Sequence, residues 1–164
     1  MYSTLNLSKD IKLIISDFDG VFTDGGVYIA EDKTTSKKVN YKDIMGLSIA
    51  VKNGYKIAFV SGDKSAAIEV IAERFGIKDV YMDIRDKAAV VEKLMKKYEL
   101  SPQEVLYVGD DINDINGMLM VDYRVAPPNA NWKVKKVEGI QITQNVGADG
   151  VFREIIDNLI EQQV

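Results

Sequence analysis

The chain has 164 residues, 46% of them apolar and 28% charged, enough for one compact unit with a sizeable core and a charged surface. It contains no Cys and no His, which excludes a thiolate nucleophile, a disulfide framework, a zinc-thiolate site and any Ser-His-Asp hydrolysis. Acid-base or metal chemistry therefore falls to Asp, Glu, Lys, Arg or Tyr. A net charge of −4 gives no general attraction to nucleic acid. The lysines at 133, 135 and 136 read as a solvated helix face. No apolar run approaches the roughly 20 residues that cross a bilayer. Met1 to Lys12 lacks a basic stretch followed by an apolar one, so the expectation is a cytoplasmic protein with no membrane partner.

In chain order, Leu13 to Ser16 reads as a buried strand, and Gly26 to Tyr41 as an inserted β-hairpin around the polar stretch Glu31 to Ser36. A helix over Asp43 to Asn53 stops at Gly54, followed by a strand at Lys56 to Val60 and a helix from Lys64 to Phe75 that stops at Gly76. A short strand at Val80 to Met82 leads to Asp86, which caps a helix running to Tyr98. Ser101 to Glu104 turns into a strand at Val105 to Val108. A strand near Tyr123 to Val125, a short helix near Asn131 to Val137, a strand near Ile140 to Ile142 and a final helix from Gly150 complete the series. This alternation predicts an α/β fold of Rossmann-like, doubly wound type, with a parallel sheet and helices on both faces. With no repeat or linker visible, residues 1–164 read as one domain carrying an inserted hairpin at 26–41.

In open α/β sheets the functional cleft lies at the carboxyl ends of the strands. Three predicted strand ends are rich in chemistry: Asp17, Asp19 and Asp24 after the first; Ser61, Gly62 and Asp63 after Lys56 to Val60; Gly109, Asp110, Asp111 and Asp114 after Val105 to Val108. Any one of these could be a turn or a helix cap. Together they crowd carboxylates at one sheet edge, where mutual repulsion calls for a cation. Hard oxygen ligands without His or Cys suit Mg²⁺. Such a site can let a carboxylate attack a phosphate monoester. Lys87 would screen charge, and Ser61 and Gly62 would hold phosphate oxygens beside a helix start. Asp19 would protonate the leaving alkoxide and then activate water. Lys87 alone would pass for an ordinary first-turn lysine.

These motifs resemble those of the haloacid dehalogenase superfamily, in order and spacing, over nearly the whole chain. The first is Asp17-Phe18-Asp19-Gly20-Val21-Phe22-Thr23-Asp24, the second Ser61-Gly62, the third Lys87, and the fourth Gly109-Asp110-Asp111-Ile112-Asn113-Asp114. The resemblance implies Asp17 as nucleophile and Asp19 as acid-base. It also implies Asp17, the Asp19 carbonyl and Asp110 as Mg²⁺ ligands, with Asp111 and Asp114 in support. Only 43 residues separate Asp17 from Ser61 and 22 separate Lys87 from Asp110, too few for a cap domain. The hairpin, Asn40 to Gly46 and Gly147 to Glu154 are similar to the capless subgroup that dephosphorylates 3-deoxy-ulosonic acid phosphates. That likeness implies a homotetramer in which hairpins assemble the subunits and neighbours cover the sites. Asn40, Lys42, Asp43, Asp63 and Arg153 are then expected at the substrate. Two departures bear on the substrate. Where enzymes of the eight-carbon octulosonate typically carry Arg after the second-motif Gly, this chain has Asp63, which resembles the enzymes of nine-carbon 9-phosphates. Lys42-Asp43-Ile44 replaces the usual Arg-Asp-Gly. The expected substrate is the octulosonate 8-phosphate or a nine-carbon 9-phosphate, and Asp63 tilts the choice toward a nine-carbon or otherwise extended one. The alternatives are a broad sugar phosphatase, an accessory module of a nucleotidyl-sugar synthase, a phosphomutase, which would need a cap, and a receiver-like domain, whose phosphoacceptor would sit on a later strand.

Overall fold

The computed structural model describes residues 5–161. Six strands form one all-parallel sheet: β1 (Leu13–Ser16), β4 (Lys56–Val60), β5 (Asp79–Tyr81), β6 (Val105–Val108), β7 (Tyr123–Ala126) and β8 (Ile140–Ile142). Their order across the sheet is β5-β4-β1-β6-β7-β8. From β1 the chain winds outward through β4 and β5, then returns to β6 on the other flank of β1. The order therefore reverses between β1 and β6, which opens a crevice beyond their carboxyl ends.

The strands are apolar on both sides, as a sheet covered on two faces requires. Ile14, Ile57, Phe59, Leu106 and Val108 point to one layer, built with α1 (Tyr41–Lys52), α2 (Ala66–Phe75) and α5 (Val151–Glu161). Leu13, Ile15, Ala58, Val60, Val105 and Tyr107 point to the other, built with α3 (Lys87–Tyr98) and α4 (Ile115–Met118). This is the expected doubly wound arrangement, without a cap. Gly46 lets α1 and α5 cross closely, because a Cβ there would stand 3.0 Å from the Arg153 Cα.

Several boundaries differ from expectation. Helix α1 begins two residues early because Asn40 caps it, its side chain accepting from the Lys42 N–H at 2.8 Å. Helix α2 begins two residues late, at Ala66. The predicted helix near residues 131–137 is only a 3-10 turn at Val134–Lys136. The hairpin forms, but its ladder is just β2 (Tyr28–Ile29) against β3 (Thr35–Ser36). Val39 leaves the hairpin to pack against the core, while Tyr28 and Ile29 stand 69% and 72% exposed. No helix among the described residues is long and apolar enough to cross a membrane.

Candidate active site

The loop after β1 is anchored by its aromatic residues. Phe18 and Phe22 stack at 5.5 Å between ring centroids, both meet Phe59 edge-on, and Phe22 also meets Phe152 at 5.0 Å. Burying each ring is worth roughly 1.5–3 kcal/mol, which holds a turn of otherwise polar composition against the sheet. Asp17 and Asp19, alternating with these rings, are left to face the crevice. The backbone carbonyl of Phe18 closes the turn by accepting from Val21, Phe22 and Thr23.

The loop after β6 packs against it with almost no clearance. Gly20 has φ +79°, and a Cβ there would lie 1.7 Å from Asp110 Oδ2. A Cβ on Gly109 would lie 2.4 Å from the Asp114 carboxyl carbon. Both positions demand glycine, because the carboxylates occupy the space a side chain would take.

At the centre is Lys87, fully buried at the first position of α3. A cation there opposes the helix dipole, so the reading as an ordinary first-turn lysine fails. Its ammonium lies 3.0 Å from Asp17 Oδ2 and 2.7 Å from Asp114 Oδ1. Asp114 is saturated: Oδ1 also accepts from the Tyr107 hydroxyl at 2.8 Å, and Oδ2 accepts from the Asp110 and Asp111 N–H groups at 3.0 and 3.1 Å. It organises the site and has no lone pair to spare for a ligand. Asp111 caps the 3-10 turn that follows, accepting from Ile112 at 2.7 Å.

One oxygen each of Asp17, Asp110 and Asp114 lie within 4.8 Å of one another, with the single charge of Lys87 among them. Burial and then Asp114 push the Asp17 carboxyl well above its ordinary range, and Lys87 only partly opposes this. Burial, Asp114 and Asp111 push Asp110 up to about 7. Among the described residues, no side chain donates to the Asp110 carboxylate and no group donates to the Asp19 carbonyl. A divalent cation fits this donor set: it would offset the surplus charge and use oxygens to which no side chain donates. The linkage gives a signed expectation. Between about pH 4 and pH 7 the folded metal-free protein holds more protons at Asp110 than the unfolded chain, so stability falls as pH rises through that window. Thermal unfolding in EDTA should show this decline, and added Mg²⁺ should raise the melting temperature most above pH 7. A metal-free protein that gains stability over that window would contradict the account.

Asp17, Asp19, Ser61, Gly62, Asp63, Asp110 and Asp111, together with Gly25 and Asn113, line one open cleft of about 280 Å³. Four expected substrate residues are placed differently. Asp43 is fully buried, and its two oxygens accept the N–H groups of Gly150, Phe152 and Arg153 at 2.8 to 3.1 Å, tying α1 to the start of α5. Both of its oxygens are engaged in positioning that helix. Asn40 is spent on the α1 cap and on Ala148, to whose carbonyl it donates at 3.0 Å. Lys42, paired with Asp149, and Arg153, paired with Asp157, line a separate pocket of about 390 Å³. Neither lines the carboxylate cleft of its own chain. Conversely, Tyr107 was legible only as a core aromatic, and Lys37, which bridges Asp19 and Asp63, carried no signal in its polar surroundings.

A family model described as haloacid dehalogenase-like hydrolase matches residues 45–122. The 3-deoxy-D-manno-octulosonate 8-phosphate phosphatase of Escherichia coli K12 is 30% identical over 156 residues, covering 95% of this chain and 82% of that protein. A Pseudomonas syringae protein described as a probable YrbI-family phosphatase superposes with a TM-score of 0.89 at 34% identity, covering 94% of this chain and 88% of the other. The octulosonate 8-phosphate phosphatase of Moraxella catarrhalis, solved with magnesium, phosphate and the octulosonate, gives 0.88 at 27% identity over 93% of this chain and 87% of the other.

Proposed function

The chain belongs to the haloacid dehalogenase superfamily, among its capless phosphatases related to the octulosonate 8-phosphate enzymes, and from that membership we propose that it hydrolyses a 3-deoxy-2-ulosonic acid phosphate with Mg²⁺. The observation that carries the reading is the fully buried Lys87, set between Asp17 and Asp114 beneath a carboxylate cleft. A carboxylate can approach a phosphate dianion only where fixed positive charge offsets their repulsion. Asp17 and Asp110, with the carbonyl of Asp19, would hold the metal, and Asp111 and Asp114 would support it. The bound ion supplies further positive charge at the transferring phosphoryl group.

In the first half-reaction an Asp17 oxygen bonds to phosphorus as the ester P–O bond breaks, and Asp19 gives its proton to the departing alkoxide. In the second, water gives a proton to Asp19 and attacks the phosphorus of the acyl phosphate, which frees Asp17 and inorganic phosphate. Lys87 stays bonded to Asp114 throughout and keeps Asp17 aimed at the cleft. Ser61 and Gly62 cradle the phosphate oxygens at the end of β4. Its relatives' names favour the eight-carbon octulosonate 8-phosphate as the substrate to test first. Asp63, the departure that favours a nine-carbon compound, is not a free negative charge, because the Lys37 ion pair offsets it. Phosphate release should be measured from octulosonate 8-phosphate, nine-carbon ulosonate 9-phosphates and hexose 6-phosphates, with Mg²⁺ or EDTA. Activity that survives EDTA, or that is highest on the hexose phosphates, would overturn the reading.

The same reading includes a homotetramer. An open cleft gives the far end of the sugar little to bind, and distal binding energy is what selects substrate. A hairpin of two residues per strand is marginal alone, and its exposed Tyr28 and Ile29 need a partner surface. A neighbour's hairpin, with Arg153 from its α5, would complete the site. Light scattering should give a tetramer, and Ile29→Asp should dissociate it and lower kcat/KM for the ulosonate by about 10-fold or more, the worth of a few distal contacts. A wild-type monomer with full selectivity would rule the assembly out.

A further inference from the structure

The carboxyl of Asp19 is gripped from two sides, by Thr23 and by Lys37, neither of which takes part in the two half-reactions above. Thr23 Oγ1 accepts the N–H of Gly20 at 3.2 Å and that of Gly25 at 3.1 Å. With both lone pairs engaged, its one hydroxyl proton is directed to Asp19 Oδ1 at 3.2 Å. The other oxygen, Oδ2, receives the Lys37 ammonium at 2.8 Å, and the same ammonium reaches Asp63 Oδ2 at 3.1 Å. The Lys37 side chain is only 10% exposed, although the Asp63 carboxylate it holds is 68% exposed. Burial works against its charge, but the bonds to Asp19 and Asp63 outweigh burial and keep it a cation.

Position gives this contact its meaning. Lys37 directly follows β3, where the hairpin returns toward α1. The terminal torsion of an aspartate is broad and roughly two-fold, so a single hydroxyl contact leaves its carboxyl loosely aimed. Proton transfer requires it within hydrogen-bond reach of the leaving oxygen, about 2.6–3.2 Å. We propose that Lys37 is a positioning residue: braced on Asp63, it fixes the aim of the Asp19 carboxyl over the phosphate cleft and makes that aim depend on the docked hairpin. The proposal rests on Asp19 as the proton-transfer group in the function proposed above. A lysine that merely drew phosphate into the cleft would act on KM for every phosphate ester alike.

The test compares an alkyl phosphate, whose alkoxide must be protonated as it leaves, with p-nitrophenyl phosphate, whose phenolate leaves unaided. Lys37→Met should lower kcat/KM for the alkyl ester by about 10- to 100-fold and for the aryl ester by less than about 3-fold, the signature of impaired general acid catalysis. Asp19→Asn should show the same bias at larger size, and Lys37→Met in that background should add no further loss. Lys37→Arg, which keeps a donor in reach, should recover most of the activity, and Lys38→Met should match wild type. Equal losses on both esters, a change in KM alone, or no change would overturn the proposal. If wild type hydrolyses neither ester, the phosphatase reading fails separately. The crystal structure of Lys37→Met then decides: Asp19 turned away from Thr23 supports the positioning role, and an unmoved Asp19 overturns it.

Discussion

Asp17→Asn will leave a folded protein with phosphatase activity lower by more than about 10³-fold, as removal of a nucleophile usually costs. Asparagine keeps the shape of the side chain and an oxygen to accept the Phe18 N–H, now 2.7 Å from Asp17 Oδ1. Its amide is too weak a nucleophile to displace the ester oxygen. The stability effect should have the opposite sign. The substitution removes one carboxylate from a buried group that has more negative charge than Lys87 offsets, while the 2.7 Å Lys87–Asp114 pair remains. In EDTA the variant should therefore melt at or above the wild-type temperature. Circular dichroism and phosphate release on one preparation separate the two effects. Activity within tenfold of wild type would remove Asp17 from its role.

Lys87→Met should combine the largest loss of stability with a loss of activity of about 10²-fold or more, the scale of removing one preorganised electrostatic group. Methionine fills much of the same volume but leaves Asp17 and Asp114 buried against each other without a cation. Breaking a buried pair in this way costs about 3–5 kcal/mol. Mg²⁺ should raise the melting temperature of the variant more than that of wild type, because the ion then offsets charge that Lys87 no longer meets. Thermal unfolding with EDTA and with Mg²⁺ measures both terms. A variant as stable as wild type in EDTA would show that Lys87 does not hold the carboxylates together.

The strands and most of the site could be read from the chain because both are written locally. Leu13 to Ser16 and Val105 to Val108 are short apolar runs that leave little choice but a buried strand, and the structure begins and ends them there. The carboxylates sit immediately after those strands, beside glycines whose Cβ positions the carboxylates themselves fill. A parallel sheet then brings Asp17 and Asp110 to the same edge, because β1 and β6 are neighbours. Lys87 follows the Asp86 cap, so its place at a helix start was also local.

What remained closed to the sequence depends on contacts between distant segments. Asp43 stands in the first turn of α1, where an acid suits the helix dipole, and nothing nearby reveals that it holds residues more than 100 positions away. Arg153 and Lys42 look like ligands for an anion, yet the packing of α5 on α1 turns them to a different pocket. Lys37 lies in a run of polar residues whose composition fits any exposed turn. Only the docking of the hairpin brings its ammonium to Asp19 and Asp63. Chain stiffness and apolar periodicity act over a few residues and fix the elements. The partner of a given charge is settled by how those elements pack, since that decides which polar groups lose water together and must satisfy one another.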